Sequence, residues 1–374
     1  MVTAAQPLAL PAPRHRRAAA VRHLGPNWYA CVMGTAIVAT AGAGLPGAAH
    51  IPGLRTLCAT VWALSSVLLA TLLGARALHW IHHRDQARAH LLDPAVAPFH
   101  GCLAMALLAV GGGAVAVGRD WTGTGPAVAL DAVLFTAGTV AGLVAAVAVP
   151  YLMVARHRIE PVQAGPVWLL PLVAPMVSAA QGPFLVRHLP AGQPPETLLF
   201  ACLALFGLSL LATFVMLPLI VARLITEGPL PLALTPTLFL VLGPLGQSTT
   251  ALGTSADAAH GVVPAPYDHG LGVLAVLYGV PVTGFALLWL ALAAALVVRA
   301  RRRGMGFTMT WWAFTFPVGT CVTGAEVLAR RTGLAAFDGL AAGLYGLLVA
   351  AWGVAAVLTA RGVVSGELLA GPRR

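Results

Sequence analysis

The chain has 374 residues, 59% of them hydrophobic and only 9% charged. Soluble domains carry about 25% charged residues, so this composition excludes a soluble globular protein and describes an integral membrane protein. The net charge of +10 rests on 22 basic residues, all arginine, and their position at the ends of apolar segments excludes a nucleic-acid surface.

Arg14, Arg16, Arg17 and Arg22 precede the first apolar segment. No small-residue cleavage site followed by a soluble domain comes after them, so residues 1–25 read as a basic cytoplasmic tail and the segment as a retained span. A membrane helix needs about 20 apolar residues. Windows of that kind predict ten helices over 26–47, 54–79, 97–118, 127–154, 166–186, 197–224, 235–256, 270–298, 306–329 and 334–360. The transmembrane domain thus covers 26–360 and a second cytoplasmic tail covers 361–374. Short connections make neighbouring helices antiparallel hairpins. With this count, seventeen arginines fall on the side of the N-terminus and five on the other. That asymmetry places both termini in the cytoplasm.

Glycine and proline separate the helices into two sets. The odd ones carry Gly34, Gly42 and Gly44, then Gly101 and Gly111 to Gly113, then Pro171, Pro175, Gly182 and Pro183. The seventh carries Pro236, Gly243, Pro244 and Gly246, the ninth Pro317, Gly319 and Gly324. The even helices are smoother Leu/Ala/Val runs, interrupted at Pro150, Pro218 and Pro281. Small residues permit close backbone approach and prolines need protein or water beside them. The odd helices are therefore predicted to form an inner ring, with hydroxyls such as Thr35, Ser178, Ser248, Thr249 and Thr250 on its wall.

The ninth segment contains Trp311-Trp312-Ala313-Phe314-Thr315-Phe316-Pro317. Pro317 removes a backbone donor and is expected to kink the helix. Two readings follow: a packing kink, or a constriction in a path across the membrane.

Apart from arginines at span ends, the charged residues within the spans that stand out are Asp131 and Glu326. Asp131 is expected to pair at the outer interface with Arg119, Arg330 or Arg331. Glu326 has the same reading, or a role in ion coupling at the outer mouth. His79, His82 and His83 read as a juxtamembrane basic patch, and His100 as interfacial or facing a vestibule. Cys31, Cys58, Cys102, Cys202 and Cys321 all lie in apolar segments and read as small hydrophobes. No haem-ligand pair, diphosphate motif, zinc motif or phosphate-binding loop is legible, so neither cofactor nor metal is expected, and the chain does not read as an enzyme. Transport must then be passive or coupled to an ion gradient. The arginines of the inner face would concentrate anions.

Several segments together resemble a known family. They are Pro26 to Thr35, Asp93-Pro94 through Phe99 and His100, Trp168 with Pro171, Pro175 and Gly182, Gly243 to Gln247, and Trp311 to Pro317. The set resembles the tellurite-resistance/dicarboxylate transporter family, which includes slow-type anion channels, malate permeases and sulfite exporters. The resemblance implies five hairpins in quasi-fivefold arrangement, odd helices around a central pore, and a homotrimer of separately conducting subunits in the cell membrane. It also implies a phenylalanine plug on the ninth helix, carried here by Phe316 or else Phe314. Gly34, Thr35, Gly101, Pro175, Gly243, Pro244 and Pro317 are the expected pore-lining or kink residues. The expected function is transport of small anions, either C4-dicarboxylates such as malate or oxyanions such as sulfite or tellurite. The alternatives are a proton-coupled carboxylate symporter using Glu326, or a membrane-embedded enzyme or redox protein.

Overall fold

The structure, a computed structural model, describes residues 21–369. Most of the N-terminal basic tail, with Arg14, Arg16 and Arg17, lies outside the described residues, as do Arg373 and Arg374. Among the described residues the chain is all-α, without a strand.

The helices are α1 (Tyr29–Gly44), α2 (Leu54–His82), α3 (Arg84–Leu92), α4 (Gly101–Gly113), α5 (Thr124–Ala155) and α6 (Leu170–Gln181). They continue as α7 (Gln193–Glu227), α8 (Leu242–Ala259), α9 (Tyr267–Arg302), α10 (Phe316–Thr332) and α11 (Ala335–Val364). α4 runs on through a π-helical segment, Ala114–Gly118, into Arg119–Thr122. A single residue, Gly123, then joins it to α5. Its φ of 84° is open to glycine and strained for any residue with a Cβ, which is how a one-residue link is possible here.

Among the described residues seven segments are long and apolar enough to cross a bilayer: Leu54–His82, Ala97–Thr122, Thr124–Ala155, Pro166–Val186, Gln193–Glu227, Tyr267–Arg302 and Ala335–Val364. The chain is a multi-pass membrane protein. Side chains such as Val147, Ile225 and Leu277 stand 71%, 77% and 70% exposed on the long helices. In lipid such exposure needs no cover. Of the four remaining helices, α3 is a nine-residue surface helix, while α1, α8 and α10, at 16, 18 and 17 residues, are mostly buried.

Contacts divide the helices as the glycine and proline pattern does. α1 packs on α4 and α10, α4 on α6, α6 on α8, and α8 on α10, so these five close a cycle. Each also packs against the long helix that follows it: α2 on α1, α5 on α4, α7 on α6, α9 on α8, α11 on α10. Small residues make the closest approaches. A Cβ at Gly246 would overlap the backbone of Thr320 and Cys321, and one at Gly101 would overlap Leu170 and Pro171.

The ninth segment departs from the expectation of a kinked helix. Its aromatic run forms a separate 3-10 turn, Met309–Phe314, and the chain breaks at Thr315 (φ −96°, ψ −79°). Pro317 then lies in the first turn of α10, where its missing donor leaves no helical bond unmade. A break replaces the kink. Short 3-10 turns likewise precede α1, α4, α6 and α8, at Pro26–Trp28, Ala97–His100, Pro166–Leu169 and Leu232–Val241.

Candidate functional site

The five buried helices meet at a cavity of about 10 Å³, roughly the smallest that holds one water. α1 contributes Met33, α4 Met105, and α6 Leu170 with Val173. α8 contributes Gly243, and α10 both Phe316 and Pro317. Every lining side chain is uncharged and apolar.

Phe316 is 3% exposed and reaches this cavity because the break at Thr315 starts α10 just before it. Phe314 lies on the other side of the break. It is half-buried, edge-on to Phe239 with centroids 4.8 Å apart and to Trp311 at 5.7 Å. Trp311 in turn receives the Arg301 guanidinium over its face at 5.3 Å. Trp312 is anchored, its indole donating to Thr359 Oγ1 at 2.9 Å.

The other predicted residues take different places. Gly243 opens on the cavity, since a Cβ there would meet only Val173 Cγ1, at 4.0 Å. Pro244 is buried in the first turn of α8. Pro175 is buried inside α6, where it deprives the Pro171 carbonyl of its helical donor. Gly34 faces outward from the cavity, against Thr315 and Trp312. Gly101 holds α4 against the start of α6.

The hydroxyls predicted on the wall are engaged between helices. Thr35 donates to the Cys31 carbonyl at 2.7 Å and receives the Trp352 indole of α11 at 3.1 Å. Ser178 receives Thr139 at 2.9 Å, Ser248 receives Tyr278 at 2.9 Å, and Thr250 lies 2.7 Å from Thr323. Thr249 meets Gly279 of α9. Each makes a helix–helix contact, and none of these side chains lines the cavity.

The predicted partners of the intramembrane carboxylates also need correction. Asp131 is 1% exposed and sits against Gly111, and neither oxygen has a hydrogen-bond partner among the described residues. Arg331 bonds Asp257 at 2.6 Å and Arg55 bonds Asp120, leaving Asp131 unpaired. Glu326 is 4% exposed on α10, with one oxygen against Gly44 of α1 and Oε1 without a hydrogen-bond partner among the described residues.

The histidines do not form one exposed patch. His79 is fully buried, its Nδ1 2.9 Å from the Val21 carbonyl and its ring stacked on His90 of α3, centroids 5.4 Å apart. His82 is exposed at the end of α2. His100 is half-buried, with Nδ1 3.0 Å from the Ala97 carbonyl. Burial pushes His90 down to about 4, with Arg76, His79 and His100 adding to the effect. Arg76 itself is buried and donates to the Leu24 carbonyl at 2.7 Å.

Sequence reading missed Met33 and Met105, since apolar residues facing a cavity look like any others in an apolar helix. It also missed the buried arginines Arg76 and Arg223, which entered only as orientation signals.

The sequence pattern of the voltage-dependent anion channel family, SLAC1, matches residues 23–360, nearly the whole chain. The chain belongs to that family. Among relatives of this voltage-dependent anion channel family member, an uncharacterized transporter of Methanocaldococcus jannaschii is 25% identical, with 94% of this chain and 96% of the relative covered. A second uncharacterized transporter of that organism is 24% identical, with 93% and 97% covered. A sulfite efflux pump of Arthroderma otae is 25% identical, with 91% of each chain covered.

Proposed function

We propose that the protein moves small anions across the cell membrane through a path along the axis where α1, α4, α6, α8 and α10 meet. In this reading all ten long and buried helices span the bilayer as five hairpins, odd ones inside. The observation that carries it is Phe316 in a narrow apolar cavity to which all five buried helices contribute. An anion crossing such a wall must shed water without tight partners, and conduction requires that weakness. Phe316 is then the plug, and conduction follows its displacement.

Substrate preference follows from charge. The desolvation penalty rises steeply with charge in a low-dielectric wall. A neutral, apolar lumen therefore favours monoanions, and sulfite in its hydrogensulfite form fits better than a C4-dicarboxylate dianion. The sulfite efflux relatives support this choice. Both termini lie in the cytoplasm in this arrangement, by the arginine asymmetry, and assembly as a homotrimer rests on the family resemblance. The deciding experiment is a flux panel in proteoliposomes comparing sulfite, malate, nitrate, chloride and tellurite. Malate faster than sulfite would reverse the substrate choice, and no anion flux would remove the reading.

A second reading is favoured by one observation, the Oε1 of buried Glu326, which has no hydrogen-bond partner among the described residues. A carboxyl group in that setting serves a proton-coupled symporter. Proton uptake accompanying malate uptake would support it.

A further inference from the structure

The end of the bundle that carries Arg76 and Arg301 holds a second cavity, of about 320 Å³. It lies between Pro94 ahead of α4, the 159–168 stretch ahead of α6, and Leu230 to Thr237 ahead of α8. That volume is at the small end of the range for small-molecule sites. Trp168 lines this cavity whereas its neighbour Leu169 lines the central one, so the second cavity stands beside the central axis.

Its one charged lining residue is Arg223 of α7, only 9% exposed. Two backbone carbonyls hold the guanidinium still: Nε donates to Val162 at 3.0 Å and Nη1 to Gly228 at 2.6 Å. A guanidinium has five N–H donors, so three remain, two on Nη2 and one on Nη1, the two nitrogens that face a carboxylate end-on. Among the described residues no carboxylate forms an ion pair with it; Glu160, Glu227 and Asp93, the acidic residues nearest the walls in sequence, are not its partners. A buried cation without a counter-ion is unfavourable, and a planar anion is the partner the fold leaves out. Ile159, Val167, Trp168, Leu230 and Leu234 make the rest of the wall largely apolar. Such a wall does not suit a fully hydrophilic oxyanion.

We propose that this cavity binds an organic monocarboxylate with an apolar body, the carboxylate on the Arg223 fork and the body against Trp168 and Leu234. The site is separate from the conduction path and stands whether or not that path carries sulfite. The ligand comes from the aqueous phase as a short or aromatic acid, or from the bilayer as a fatty acid.

Calorimetric titration of the full-length protein in nanodiscs tests this without any flux measurement. Sodium benzoate stands for the aqueous source, palmitate in the disc lipid for the bilayer, and benzyl alcohol is the neutral control. Saturable binding of benzoate or palmitate, with none of benzyl alcohol, is expected, and whichever acid binds identifies the source. Arg223→Gln should weaken binding by about tenfold or more, the value of a charge-assisted hydrogen bond. Leu234→Trp fills the cavity with Arg223 kept in the sequence, and should abolish binding while unfolding temperature and sulfite flux stay unchanged. Absence of binding by both acids overturns the proposal. So does binding that survives Leu234→Trp, or sulfite competing with benzoate as an equal.

Discussion

Phe316 and Phe314 are two residues apart and stand on opposite sides of a backbone break at Thr315. Phe316 enters the cavity shared by five helices, while Phe314 packs on Phe239 and Trp311. Truncating the two rings should therefore have different consequences. Phe316→Ala should raise sulfite flux by about tenfold or more, equivalent to roughly 1.4 kcal/mol of barrier. Phe314→Ala should leave flux near wild type and lower the unfolding temperature instead. Radiolabelled sulfite efflux from proteoliposomes measures the first effect, and equal fluxes in the two variants would remove Phe316 as the plug.

Gly243 and Gly246 lie one turn apart on α8 with opposite surroundings. A Cβ at Gly246 would overlap the α10 backbone, and backbone cannot rotate away. Gly246→Ala should destabilise the fold by about 1–3 kcal/mol, the usual range for overpacking. Gly243→Ala has room for its methyl group and should keep the unfolding temperature while narrowing the path. Thermal unfolding followed by size-exclusion chromatography separates the two, and a Gly246→Ala protein as stable as wild type would contradict the close contact.

Trp62 accounts for a feature of α4. Its indole donates to the Val110 carbonyl at 3.0 Å, and its ring lies against Gly113 and Gly118, flanking and closing the π-helical segment. Trp62→Phe keeps a ring but removes this bond; the Ala114 N–H still reaches the Val110 carbonyl, so the cost should be about 0.5–1.5 kcal/mol, the net worth of one hydrogen bond. A melting curve unchanged by this substitution would mean that the indole bond contributes nothing to stability.

The docking of α3 should depend on pH. His90 titrates near 4 in the folded protein against about 6.5 in an unfolded chain. A lowered histidine value means that the folded state favours the neutral ring. Its contribution is complete above about pH 6.5 and is lost as pH falls toward 4. The surrounding groups are Arg76, His79 and His100, which oppose protonation, and Asp93, which favours it. Hydrogen exchange in 84–92, corrected for intrinsic rate, should quicken between pH 7 and 5 (about one unit either side of pH 6) and stop doing so in His90→Gln. Equal protection across that range would refute the link.

Glu326→Gln is nearly isosteric and should leave the fold intact, because the carboxyl group makes no ion pair among the described residues. If the protein is a channel, anion flux and its pH dependence also persist. Loss of pH dependence in that variant would favour proton coupling over passive conduction.

Much of this was legible in the chain. The membrane class, the positions of the spans and the alternation of small-residue and smooth helices were all readable, because hydropathy, arginine placement and glycine or proline content are local properties that add along a segment. The seven segments long and apolar enough to cross a bilayer among the described residues match predicted spans to within a few residues. Site residues were legible by type and less so by direction. Gly243 and Phe316 do reach the cavity, but Thr35 turns to Trp352 and Gly34 to Thr315. Pro317, expected to bend a helix, begins one.

The amino-acid sequence thus determined that the chain lives in a bilayer and which helices can lie close together, since transfer of apolar segments and backbone approach at glycine depend on residue type. Only the tertiary structure decided which side chain faces the axis. That depends on the rotation of each helix about its own axis, set by 3-10 turns and by contacts with helices distant in sequence. The same non-local packing took His79 out of the solvent-facing patch and left Arg223 buried without a counter-ion among the described residues. Neither burial nor the absence of a partner is a property of one segment.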